Sequence, residues 1–178
     1  MEAERIVELW KRAMGRGEKV YLSTVVHVEG SAYRKPGARM LVTEGGERAG
    51  TISGGCLEAE VCRKISWLSA NGPTVERYQS SFDDDNEGVP YGLGCGGTIW
   101  ILMETGAAVG AVMEALRASL ETRLTSIIVR SLYAAASPIN TIIAASQIQI
   151  AEEHCRRALS SGRIVAGPST VPNGLPEF

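Results

Sequence analysis

The chain has 178 residues, a formal net charge of −2 and only 6% aromatic residues. This length supports one domain with a full hydrophobic core but not two large domains. The near-neutral charge and the few aromatic residues give neither the basic surface nor the stacking platform of a nucleic-acid-binding protein, so we expect no nucleic-acid partner. The 20 glycines indicate that loops with special backbone conformations carry the binding.

The N-terminal sequence, the cysteines and the apolar runs indicate where in the cell the protein is located. The N-terminal sequence Met-Glu-Ala-Glu-Arg lacks the apolar core of a secretory signal, so we expect a cytoplasmic protein with free thiols. The longest uncharged run, residues 131–151, has membrane-spanning length but contains proline, asparagine and glutamine, so we expect buried protein and no membrane association. The four cysteines are Cys56, Cys62, Cys95 and Cys155.

The first third of the chain alternates helical and strand patterns. Apolar residues at helical spacing predict an amphipathic helix over 2–16, and a β-branched run predicts a buried strand over 20–28. Two short strands over 40–43 and 47–52, separated by Glu-Gly-Gly, predict a hairpin. The intervening loop, 29–39, combines glycine and serine with three cations, which suits an anionic ligand. These cations are Arg34, Lys35 and Arg39.

The remaining patterns complete a single α/β domain with a mixed β-sheet and helices packed on it, which we expect to span residues 1–166. A loose tail over 167–178 contains three prolines. An acidic run at 83–87 lacks calcium-loop spacing and predicts a solvated loop. The other predicted elements are helices over 56–70, 109–120 and 148–159, and strands over 74–82, 98–103, 126–133 and 139–145.

The segment 50–58, Gly-Thr-Ile-Ser-Gly-Gly-Cys-Leu-Glu, leads from a strand into a predicted helix. Glycines let a backbone approach a ligand closely, and the first helical turn leaves N–H groups unpaired, so an anion fits there. We expect Cys56 in that first turn, where the helix dipole favours a thiolate.

A second glycine-cysteine loop occupies residues 92–97, Gly-Leu-Gly-Cys-Gly-Gly. Its letters match a dinucleotide fingerprint, but that fingerprint needs a strand before it and a helix after it, whereas here a strand follows. We therefore expect no NAD. The glycines instead allow Cys95 and neighbouring amides to form a small anion-binding concavity.

Three kinds of thiol chemistry can be weighed. Structural zinc needs four ligands in paired spacings, and no Cys-x-x-Cys pair exists. A Cys–His nucleophile pair stays open, because spatial neighbours need not be sequence neighbours, but it has only His27 and His154 to draw on, and His27 is predicted to be a packed or hydrogen-bonded strand residue. A pocket of thiolate, open amides and guanidinium groups remains, and it suits an anionic group joined to a soft metal centre.

The order of these blocks resembles the XdhC/CoxI family, the xanthine dehydrogenase accessory factors. The resemblance spans about residues 20–104. Two departures are that Tyr33 stands where the family often has proline, and that residues 105–178 lack the dinucleotide-binding domain of full-length members. The blocks are Gly30-Ser31, Arg34, Pro36-Gly37-Ala38, Met40-Leu41-Val42, the segment 50–58 and Gly94-Cys95-Gly96-Gly97.

The resemblance implies an accessory protein without turnover that binds and protects molybdenum cofactor. It also implies a cysteine desulfurase partner, delivery to a xanthine dehydrogenase-type molybdenum hydroxylase and a possible homodimer. Cys56 and Cys95 are the candidates for molybdenum contact. The expected cofactor-binding residues are Ser31, Arg34, Gly37, Ser53, Gly54, Gly55, Cys56, Glu58, Gly94, Cys95, Gly96 and Gly97.

Two alternatives stay open at this point. One is a thiol enzyme that uses Cys56 as its nucleophile. The other is a docking protein with a vestigial pocket, which would associate with a dehydrogenase without binding a pterin.

Overall fold

A computed structural model describes residues 1–79, 89–90, 96–123, 127–130 and 140–143. Several sequence predictions lie outside these residues. They are Gly94 and Cys95, the acidic run 83–87, the helix over 148–159 with His154 and Cys155, and the tail over 167–178.

The main sheet has six strands in the order β3-β2-β1-β6-β4-β5. Neighbours from β3 through β4 are antiparallel, while β4 and β5 are parallel, so the sheet is mixed. A separate antiparallel pair is formed by β7 and β8. The bounds are β1 Val20–Glu29, β2 Arg39–Thr43, β3 Arg48–Gly50, β4 Thr74–Gln79, β5 Val89–Pro90, β6 Thr98–Thr105, β7 Ile127–Arg130 and β8 Asn140–Ile143.

Helices cover both faces of the main sheet. One core cluster joins α1 (Glu2–Gly15) and α3 (Ala107–Thr122) to one face of the sheet, and a second joins α2 (Glu58–Leu68) to the other. The period-two alternation of β1 divides its side chains between the clusters, with Leu22 in the first and Tyr21 in the second. The predicted α/β class, with a mixed sheet and packed helices, is confirmed.

Most predicted elements occur at the predicted places, but the start of α2 does not. The helix begins at Glu58 with Leu57 as its N-cap residue, so Cys56 precedes the helix and the prediction that it lies in the first turn is wrong. The physical reason is the Glu58 side chain, which bonds backwards to residues 52 and 53 and leaves the intervening residues in a turn.

The sheet brings the glycine loops together at one end. Glu29, the last residue of β1, pairs with Thr98, the first of β6, so the segments beyond them are neighbours. Gly50, the last residue of β3, pairs with Met40 of β2, which places the chain after β3 beside the chain before β2.

Among the helices of the described residues, none combines the length and hydropathy needed to cross a bilayer.

Candidate functional site

Three loops meet at this end of the sheet: the first loop (residues 30–38), the second loop (51–57) and the described part of the third loop (96–97). Gly97 is buried, and a Cβ atom on it would lie 2.1 Å from the Ser31 carbonyl oxygen and 2.8 Å from that of Glu29. Only glycine permits this approach. Gly97 is therefore a joint between the first and third loops, with no room for a ligand at its Cβ position.

The first and second loops enclose a shallow depression of about 240 Å³, part of it open to solvent. Four of the predicted site residues line it, namely Arg34, Ser53, Gly54 and Cys56, and Tyr33 lies beside them. The remaining lining residues are the apolar Ala32, Ile52 and Ile99. The depression thus combines an apolar floor with a cation and a thiol.

A hydrogen-bond network centred on Glu58 fixes the second loop. The Glu58 carboxylate, only 3% exposed, accepts bonds from Ile52 N–H at 3.1 Å, Ser53 N–H at 2.8 Å and the Ser53 hydroxyl at 2.5 Å. The Ser53 Oγ atom in turn accepts from Gly55 N–H at 3.1 Å and Leu57 N–H at 3.2 Å. Burial alone would raise the pKa of Glu58, but the bonds from Ser53 and Ile52 outweigh it and lower the pKa below the usual value.

This network changes the expected role of the loop amides. The sequence suggested open N–H groups for an anion, but four of them in the second loop already donate to Glu58 or to Ser53. Within the described part of the chain, the exposed Gly54 and Cys56 have N–H groups that donate to no protein acceptor. The anion-binding capacity of the loop is therefore limited to its exposed tip.

Cys56 lies at that tip. Its side chain is exposed, and its Sγ atom is 3.8 Å from the Ser53 Oγ atom, at the limit of a weak thiol–hydroxyl hydrogen bond. Cys62, by contrast, lies within α2, is half-buried and packs against the core. The two described cysteines thus differ in access, and only Cys56 faces the depression.

Arg34 is anchored to the first helix. Its Nη2 atom donates to both carboxylate oxygens of Glu2, at 2.8 and 2.6 Å, and Glu2 also accepts from Thr51 N–H at 3.0 Å. Burial would raise the pKa of Glu2, but the bonds from Arg34 and Thr51 lower it below its usual value. Glu2 therefore ties α1 to the first and second loops and partly neutralises the cation of the depression.

The other predicted site residues lie around the depression without lining it. Gly37 donates its N–H to the Val25 carbonyl at 2.8 Å and so forms part of the turn into β2. Gly55 is exposed with a positive φ of 116°, and Ser31 and Gly96 are exposed at the junction of the first and third loops. The exposed His27 ring on β1 contacts the Trp100 ring on β6, with centroids 4.8 Å apart and planes tilted by 58°.

The sequence interpretation did not include Glu2 and Tyr33 in the site. Glu2 carries no local signal, because its partners are 32 and 49 residues away. Tyr33 had a signal, since an aromatic residue in a glycine- and proline-rich loop has no core to enter. Among the described residues, no three His, Cys, Asp or Glu side chains come close enough to hold a metal ion.

Comparisons with known proteins address the part of the chain that carries these loops. Residues 13–79 match the sequence profile of the XdhC and CoxI family, and this range includes the whole of the first and second loops. The resemblance to that family is confirmed over this segment.

Two curated proteins are similar over about half of the chain. One, from Bacillus subtilis, is described as a probable xanthine dehydrogenase subunit and is 44% identical over 89 residues, which are 49% of this chain and 26% of that protein. The other is the molybdenum cofactor insertion chaperone PaoD of Escherichia coli, 35% identical over 95 residues, which are 51% of this chain and 28% of that protein. The matched part thus spans little more than a quarter of each relative.

A solved structure supports the same relationship. A protein described as a xanthine dehydrogenase from Bacillus halodurans aligns with 80% of this chain and 43% of its own, with a TM-score of 0.62 and 29% identity. The similarity therefore extends to the three-dimensional arrangement of the strands and helices.

Proposed function

We propose that this chain is an accessory protein that binds molybdenum cofactor and serves the maturation of a xanthine dehydrogenase-type molybdenum hydroxylase. One observation carries the proposal. Seven of the eight residues that line the depression fall within the segment 13–79 that matches the XdhC and CoxI family. One relative of this part of the chain is described as a molybdenum cofactor insertion chaperone, which favours cofactor binding over an unrelated use of the loops.

The lining residues suit the chemistry of this cargo. Molybdenum cofactor carries a soft, sulfur-bound metal and a phosphate. The exposed Cys56 thiol is a soft ligand for the metal. Arg34 and the exposed N–H groups of Gly54 and Cys56 suit the phosphate, although Glu2 shares the guanidinium. The apolar floor formed by Ile52 and Ile99 excludes water from one side of the cargo.

The finer parts of the proposal concern partners. We propose delivery to the molybdenum hydroxylase, protection of the cofactor while a cysteine desulfurase supplies the terminal sulfur, and a homodimer in the cytoplasm. The descriptions of two relatives, most of whose length lies outside the match, support service to a molybdenum hydroxylase. The cysteine desulfurase, the homodimer and the cytoplasm rest on the family resemblance alone.

The direct test is retention of cofactor. The protein is mixed with cofactor released from a purified molybdoenzyme and desalted, and the retained pterin is measured by fluorescence after oxidation, with molybdenum measured by mass spectrometry. We expect the parent to retain both. Cys56→Ala should retain at least tenfold less molybdenum than the parent. Cys62→Ala, the matched control, should retain as much as the parent. A parent that retains neither pterin nor molybdenum overturns the proposal.

The exposure of Cys56 also favours a second candidate, a thiol enzyme. Burial raises the pKa of the Cys62 thiol more than nearby Arg48 lowers it, so Cys62 serves as an unreactive comparison in alkylation by iodoacetamide. Cofactor-dependent protection of Cys56 supports the carrier. Turnover of an electrophile that is lost in Cys56→Ala supports the enzyme.

A further inference from the structure

Tyr33 is an exposed aromatic residue whose ring lies against the second loop. Its side chain is 74% exposed, yet a Cβ atom on Gly54 would lie 3.1, 3.2 and 3.4 Å from the ring atoms Cδ2, Cγ and Cδ1. These three distances are nearly equal, so the face of the ring, not its edge, meets Gly54. The backbone of the second loop therefore supports one face of the Tyr33 ring and leaves the other face to solvent.

Its place in the site distinguishes Tyr33 from other exposed apolar residues. Single exposed hydrophobic side chains are ordinary, and Trp67, 61% exposed on α2, is one of them. Tyr33 instead lines the depression together with Arg34 and Cys56. A supported ring with one free face, beside a cation and a thiol, has the form of a stacking platform.

We propose that Tyr33 stacks on the flat heteroaromatic ring of the cargo and so determines where the pterin part lies. This inference rests on the proposed function and adds a binding residue to it. Three neighbouring side chains then address three chemical parts of one ligand: Tyr33 the planar ring, Arg34 the anionic group and Cys56 the metal. A planar ring is the expected partner because Tyr33 has one face free, and such a face stacks on any ring with a π face.

The test compares binding of released molybdenum cofactor with competition by plain pterin, which carries neither phosphate nor metal. For Tyr33→Ala we expect about tenfold weaker binding of both ligands. Tyr33→Phe, which keeps the ring, should stay within about twofold of the parent on the same scale. Trp67→Ala, the matched control outside the depression, should leave both affinities unchanged.

Gly54→Ala tests the same contact without removing the ring. Gly54 lies outside the positive-φ region, so alanine fits its backbone, but the added methyl would displace the Tyr33 ring by a few tenths of an ångström. We expect weaker pterin binding than in the parent, by less than in Tyr33→Ala, with unchanged circular dichroism. Gly110→Ala on α3, where nothing lies within 4 Å of the added methyl, is the control.

The outcomes separate this inference from the proposed function. A parent that binds cofactor as tightly as Tyr33→Ala does, or that binds cofactor but not plain pterin, overturns the stacking role and leaves the proposed function standing. A parent that binds neither ligand overturns the proposed function itself.

Discussion

Two carboxylates accept hydrogen bonds from the second loop, and they differ in burial and in origin. Glu58 comes from the helix that follows the loop, is 3% exposed and bonds to residues five and six positions back. Glu2 comes from α1, has a side chain that is 33% exposed and bonds to residues 32 and 49 positions away. Both have a pKa below the usual value, because N–H or guanidinium donors surround them.

The difference separates a structural contact from an exchangeable one. A buried carboxylate that satisfies several donors is expensive to remove, because the donors are left without partners. In a part-exposed ion pair, solvent and other anions compete for the cation, so the pair contributes little to the free energy of unfolding. We infer that Glu58 maintains the shape of the loop and that Glu2 adjusts the charge available to a ligand at Arg34.

Removal of Glu58 should produce the largest effect. We expect Glu58→Ala to lower the free energy of unfolding by about 3 kcal/mol, because three charge-assisted bonds are lost and two buried N–H groups lose their acceptor. Urea unfolding followed by circular dichroism measures it. Glu8→Ala, an exposed carboxylate on α1, is the control and should stay within about 0.5 kcal/mol of the parent. Equal stability of the two variants would contradict the structural role of Glu58.

The pH dependence of Glu58→Gln sharpens the same contrast. Because the folded-state pKa of Glu58 is lowered from 4.5, its stabilisation is fully present above about that pH and is lost as the pH falls through the folded value. Glutamine mimics the protonated acid. The parent should therefore exceed Glu58→Gln in unfolding free energy at pH 7, by about 2 kcal/mol, and the gap should narrow as the pH falls below about 4.5 and through the lowered folded-state pKa. A gap that is constant with pH would show that ionisation of Glu58 is not involved.

Neutralising Glu2 should have the smallest effect on stability. It should strengthen cofactor binding although it lowers stability. We expect Glu2→Gln to lower the unfolding free energy by less than about 1 kcal/mol, and to tighten binding of released cofactor about threefold, because Arg34 loses a competing anion. Retained pterin fluorescence measures binding, with Glu8→Gln as the control. Weaker binding in Glu2→Gln would show that Glu2 holds Arg34 in its binding position.

The sequence predicted those helices and strands whose positions depend on local residue patterns. Helical spacing located α1, because one face of that helix must enter a core, and apolar β-branched runs located the buried strands β1 and β6. The start of α2 was misplaced because glycine content cannot reveal that a carboxylate in the helix bonds backwards to the loop.

The parts of the site that escaped prediction depend on tertiary contacts. Gly97 looked like a residue cleared for a ligand, but the space beside it is filled by the Ser31 carbonyl. In the sequence Tyr33 was only a departure from the proline that the family often has, and its contact with Gly54 becomes evident only when both loops are placed. No periodicity joins Glu2 to Arg34. The sequence therefore shows which residues form a loop, but it does not show which distant residues contact them.

The pairing of β1 with β6 has a consequence for biosynthesis. Tyr21 lies opposite Thr105, so the first and second loops leave the ribosome well before the strand that anchors the first loop beside Gly97. Contacts this distant in sequence form late, and until then β1 presents an unpaired edge. Under the proposed function, the nascent chain has no finished cofactor site before β6 has emerged, and we expect loading to follow translation of β6.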